Sequence, residues 1–148
     1  MFKINIQQID KDVDEEIIIK CHEINEEVLS LMKLFKEEQK AKAIIGMHGE
    51  KLYSLKQDEI LYIEATENKT FIYCENDFYE SKLKLYELEA IVPKNNFFRC
   101  SKSIILNCSK INCVTPAFNG RFEARLINGE RVIISRQYVP DLKKILGL

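Results

Sequence analysis

The sequence predicts an α+β chain: a small N-terminal β-β-α unit over residues 1–42, followed over residues 43–148 by a mainly β domain with short helices. Three observations carry this expectation. Apolar residues occupy every second position at the start of the chain, and the period lengthens to that of a helix near Asn25. From Ala43 onward, short apolar runs are separated by turn signals about every 8–12 residues.

The opening "MFKINIQQID" sets Phe2, Ile4 and Ile6 on one side and Lys3, Asn5 and Gln7 on the other, the pattern of a half-buried strand. "DKDVDEE" supplies a polar turn, and "IIIKCHEI" reads as a second strand. In "NEEVLSLMKLFKEEQK", Val28, Leu31 and Phe35 continue a helical stripe from Ile24. Asn25 is the expected N-cap, with Glu26 and Glu27 where the helix dipole favours carboxylates.

In the second region "KLYSL", "EILYIEA", "TFIYCE" and "FYESKL" read as strands, with "TENK" and "ND" as turns. "KLYELEAIVPKN" carries Leu85, Leu88 and Val92 at helical spacing and stops at Pro93. Asn119-Gly120 and Asn128-Gly129 are hairpin signals that bracket the strand "RFEARLI" and lead into "RVIISR". The tail "QYVPDLKKILGL" reads as a terminal helix, with Pro140 in its first turn and Val139, Leu142 and Ile145 or Leu146 facing inward.

Composition narrows the function classes. The chain has 148 residues, enough for one good core with a small appendage. No apolar run approaches the roughly 18 residues that span a bilayer. Residues 1–10 have neither the basic start nor the apolar core of a secretory leader, so a cytoplasmic protein is expected. Five cysteines without a CxxC pair predict buried thiols rather than a disulfide framework or a zinc site.

Charge is unevenly spread. Residues 1–40 hold six basic against ten acidic side chains, −4, and residues 41–91 repeat that balance. Residues 92–148 hold ten against three, +7. A basic final third points to an acidic partner such as nucleic acid.

Enzyme signatures are missing: the sequence has no phosphate loop, dinucleotide fingerprint, H-E-x-x-H or G-x-S-x-G motif. Cys21 and His22 are neighbours on an expected strand and point to opposite faces, so they cannot act as a pair. Cys74 or Cys100 with His48 is left as the weakest reading, a thiol enzyme. No catalytic residue, cofactor, metal or small-molecule substrate is inferred.

Three segments taken together carry a family resemblance: "DEILYIEATENKTFIY", "FFRCSKSIILNCSKI" and "NGERVIISRQYVPDLKKIL". The second follows F-x-R-x-x-[KR]-S-x-[IVL]-[IVL]-N, and the third is a closing strand ending in Ser-Arg before a short helix. In this order and spacing they resemble the LytTR family of bacterial DNA-binding domains over about residues 43–146. The resemblance implies an elongated, mainly β fold that binds double-stranded DNA through loops entering successive major grooves, and a transcriptional regulator. The region before residue 43 is too short for a receiver domain, so the chain is similar to stand-alone LytTR regulators.

Carried over residue by residue, the resemblance selects Asn68, Lys69 and Thr70 in the first turn, then Arg99, Ser101 and Lys102 in the second segment. Ser103 and Asn107 match its structural positions, and the third segment contributes Ser135, Arg136, Gln137 and Tyr138. Base contacts are expected from Lys69, Thr70, Lys102, Arg136 and Gln137. Phosphate contacts are expected from Asn68, Arg99, Ser101, Ser135 and Tyr138, and on charge also from Lys110 and Arg121. Arg presents a planar fork suited to guanine O6 and N7, whereas Lys suits a phosphate or one acceptor. Some relatives hold His in the first loop and Asn in the second, where this chain has Lys69-Thr70 and Lys102, so the preferred base sequence is left open.

A homodimer on repeated half-sites and control by a membrane-protein partner are further expectations, with residues 1–42 as a dimerisation or regulatory element and the apolar face of the Asn25–Lys40 helix as core or, alternatively, a dimer contact. The competing reading is a signal-binding or protein-interaction module on the same scaffold. In that case Lys102 and Arg136 are solvated surface cations.

Overall fold

In the structure, a computed structural model, residues 2–39 and 43–148 are described. Residues 1–41 and 42–148 form two compact units.

The first unit corrects the expected β-β-α order. Its helix forms as α1, Glu26–Gln39. Asn25 caps it as expected, its Oδ1 accepting from the Val28 amide at 3.1 Å. The two expected strands do not form: residues 2–25 take no ladder partner, and Val13 N–H to Asp10 carbonyl, 3.1 Å, closes a turn between them. A period-two pattern describes a chain suited to a sheet surface, and a strand exists only where another strand meets its backbone groups. Ile4 and Ile6 accordingly stand 88% and 91% exposed.

Among its described residues the second unit contains ten strands and two α-helices: β1 (Ile44–His48), β2 (Lys51–Leu55), β3 (Ile60–Thr66), β4 (Lys69–Cys74), β5 (Phe78–Ser81), α2 (Leu85–Ile91), β6 (Phe97–Arg99), β7 (Ile104–Asn107), β8 (Ile111–Pro116), β9 (Phe122–Leu126), β10 (Arg131–Ile134) and α3 (Val139–Ile145). Seven strands form one sheet in the order β2-β1-β5-β4-β3-β7-β6, and three form another in the order β10-β9-β8. Every pairing is antiparallel. The expected strands and hairpins are present. β1, β6 and β8 were not legible as separate strands, and β1 shows why. Its Gly46 weakens the strand signal, yet a Cβ there would come within 2.6 Å of the Tyr79 Cβ, so the close approach of β1 to β5 requires glycine.

Two apolar clusters fix the sheets. On one face of the large sheet, Ile63, Ile72 and Ile105 pack with Leu85, Leu88 and Val92 at and just beyond α2. On the other, Leu61, Phe98 and Leu106 meet Ala124, Leu126, Val132 and Ile134 of the small sheet and Val139 and Leu142 of α3. The register of β3 slips between Ile60 and Tyr62. That bulge turns Ile60 and Ile63 to the first cluster while Leu61 and Tyr62 face the second. On α3 it is Ile145 that joins the core, whereas Leu146 is exposed.

Candidate nucleic-acid interface

The candidate residues lie on loops, and the ladder determines which loops meet. β3 runs between β4 and β7, with Thr66 opposite Lys69 and Glu64 opposite Ile104. The Ala65 amide extends that ladder by donating to the Ser103 carbonyl at 2.8 Å. The β3–β4 turn and the β6–β7 loop therefore leave the same edge, roughly 10 Å apart at the spacing of two strands. The Ser135 amide then donates to the Cys100 carbonyl at 2.8 Å, which brings residues 135–138 to that edge.

Each loop has a local reason for its shape. Glu67 and Asn68 have φ of 49° and 64°, the paired positive values of a two-residue type I′ hairpin, and they leave Asn68 and Lys69 exposed at its tip. In the β6–β7 loop the Cys100 amide donates to the Ile104 carbonyl, 3.0 Å, and the Ser103 amide donates to Ser101 Oγ, 3.2 Å. Lys102 projects from its tip. Arg99 supports it from below: its Nη1 donates to the Lys102 carbonyl at 2.6 Å and its Nε to Glu89 Oε2 at 3.0 Å.

Arg136 lies across the Asn119-Gly120 hairpin. Gly120 has φ of +73°, and a Cβ there would sit 2.9 Å from Arg136 Cδ. Ser101, Asn119, Arg121, Ser135, Arg136 and Gln137 share an open groove of about 740 Å³, which Tyr62, Glu64 and Arg131 also line.

Several expected contacts need correction. Thr70 is only 6% exposed, on the face of β4 that carries Ile72, and cannot reach a base. Arg99 spends two of its five N–H donors inside the protein and so braces the loop. Lys110 lies beyond the opposite end of β7, where its carbonyl accepts from the Ile127 amide at 3.0 Å, so it does not join this edge. Tyr138 packs against the second cluster but stays partly exposed, so its burial does not count against the expected phosphate contact. Asn107, at the structural position the resemblance implies, is buried and ties the strand end: its Nδ2 donates to the Ile60 carbonyl at 2.8 Å and its Oδ1 accepts from Ser109 N–H at 3.1 Å.

Asn119, Glu64 and Arg131 entered the groove unforeseen. The Asn-Gly signal marked Asn119 as a turn residue and nothing in the local pattern linked it to Arg136. Arg131 lies 3.4 Å from Glu123. Beside the groove the Tyr62 hydroxyl is pushed well above its ordinary pKa, first by burial and then by Glu130.

The expected burial of the thiols holds for Cys100 and in part for Cys74 and Cys108, whereas Cys21 and Cys113 are exposed. Burial pushes the Cys100 thiol up to about 12 and those of Cys74 and Cys108 up to about 11, so all three stay protonated near neutral pH. Among the described residues no group of three or more His, Cys, Asp and Glu could hold a metal. Among them too, no helix is long and apolar enough to cross a membrane.

Cationic and amide-bearing loops gathered along one edge of a β scaffold suit a nucleic-acid-binding domain. Comparison with known proteins specifies it further: a family described as the LytTr DNA-binding domain matches residues 50–147. The chain belongs to the LytTR family. A solved LytTr DNA-binding domain of a response regulator from Bacillus cereus superimposes with a TM-score of 0.68 at 30% identity, covering 72% of this chain and 99% of that one. The sensory transduction protein LytT of Enterococcus faecalis is 30% identical over 74% of this chain and 45% of its own. The transcriptional regulatory protein YpdB of Escherichia coli is 32% identical over 62% of this chain and 38% of its own. The chain thus spans less than half the length of those two relatives. A Staphylococcus aureus HTH-type transcriptional regulator aligns over the full length of both chains at 24% identity.

Proposed function

We propose that this protein is a transcriptional regulator that reads duplex DNA through the shared loop edge. The observation that carries this reading is the hydrogen-bonded convergence of the β3–β4 turn, the β6–β7 loop and residues 135–138 at one edge. Arg136, Gln137, Lys102 and Lys69 reach base edges, with Arg136 the best match to a guanine. Asn68, Ser101, Arg121 and Ser135 hold phosphates. The names of the Escherichia coli and Staphylococcus aureus relatives as transcriptional regulators support the same reading. The protein works in the cytoplasm as a homodimer on repeated half-sites, under the control of a membrane-protein partner, and is not an enzyme.

The test is fluorescence anisotropy with the duplex upstream of the protein's own gene and a scrambled duplex of equal length, at two salt concentrations. Specific binding that weakens steeply with salt is expected. Equal weak binding to both duplexes would move the assignment to a protein-interaction module.

A further inference from the structure

We infer that the N-terminal unit is an interface completed by a second copy of this chain, with the two strand-patterned segments of residues 2–9 and 17–24 pairing between copies. This deepens the regulator reading and rests on it only for its consequence on DNA. Twelve of the large apolar side chains that stand exposed lie between Phe2 and Phe35, less than a quarter of the chain. At about 100 Å² apiece they amount to roughly 1,200 Å² per copy, above the roughly 800 Å² that each partner contributes to a stable interface. On α1, Val28 is buried whereas Leu29, Met32, Leu34 and Phe35 stand exposed. A monomeric domain rarely leaves such a patch open.

The chemistry selects the occupant. Residues 2–9 carry the alternation of a strand and residues 17–24 its isoleucines, but in this structure the backbone of neither segment joins a ladder. What satisfies a strand edge is another strand, and a two-fold pairing lets each copy supply the other with the same segment. DNA and an anionic lipid surface are disfavoured because residues 1–40 carry −4. Two copies of a −4 unit also repel, but salt screens that repulsion and leaves apolar burial intact. Dimerisation should therefore strengthen with salt while DNA binding weakens.

Sedimentation velocity of the full chain tests this, beside the double variant Ile4→Glu/Ile6→Glu and, separately, Leu29→Glu. All three positions are exposed in a single copy, so the changes should leave a monomer's fold and melting temperature alone. The expected result is twice the chain mass for the parent, at least a tenfold loss of self-affinity for both variants, and tighter self-association at higher salt. A parent that sediments as a monomer, or variants that keep the dimer mass, would overturn the inference. Dimers that bind no specific duplex would leave it standing and sink the regulator reading, whereas a monomer that binds DNA specifically would do the reverse.

Discussion

The two ends of strand β7 carry similar residues and have different tasks. At the Ile104 end, Ser103 and Cys100 carbonyls accept amides from β3 and from Ser135, so three loops are locked side by side with Lys102, Lys69 and Arg136 among them. At the Asn107 end, Lys110 carries the same charge as Lys102, but its backbone is tied to Ile127 and its neighbour Asn107 ties two carbonyls and a turn. Charge alone does not make a binding residue; the ladder decides which cations share an edge.

Substitutions can break or sharpen that contrast. Asn107→Ala should have the largest effect, because it leaves the Ile60 carbonyl and the Ser109 amide without their partner. A loss of about 3 kcal/mol in urea-unfolding stability is expected. Next comes Gly120→Ala, at a positive φ and against Arg136 Cδ. It should cost about 1 kcal/mol of stability and weaken specific DNA binding about tenfold, because Arg136 must move. An unchanged affinity would separate Arg136 from readout.

Arg99→Ala removes the bond to the Lys102 carbonyl and the one to Glu89. About 1 kcal/mol of stability is the expected loss, with faster amide exchange in residues 100–103 as the direct readout. The effect that vanishes at neutral pH is electrostatic. The Cys100 thiol has its folded pKa raised from 9.0 to about 12, so the folded chain holds a proton that the unfolded chain releases. Stability is unaffected below pH 9 and falls as the pH rises from about 9 to 12, with Cys74 and Cys108 adding in the same direction. Cys100→Ala should give a shallower decline over that window.

Much of the scaffold was legible because local chemistry and long-range pairing agree there. Asn128-Gly129 and the alternating runs beside it specify a hairpin without reference to the rest of the chain. Phe2, Ile4 and Ile6 carry an equally clear period, yet they form no strand here because periodicity names a surface and not its partner. Thr70 and Lys110 show the same limit for the site: motif position and charge selected both, but burial removed one and the direction of β7 removed the other. Asn119 could not have been found locally, since what brings it to the site is the Arg136 side chain lying over Gly120.

The most direct measurement compares Arg136→Ala with Lys110→Ala in anisotropy titrations against the bound duplex and its scrambled control. Edge readout predicts that Arg136→Ala loses about 1–3 kcal/mol on the specific duplex and little on the control, while Lys110→Ala leaves the difference between the two duplexes unchanged. An equal loss for both variants, or a specificity that survives without Arg136, would contradict it.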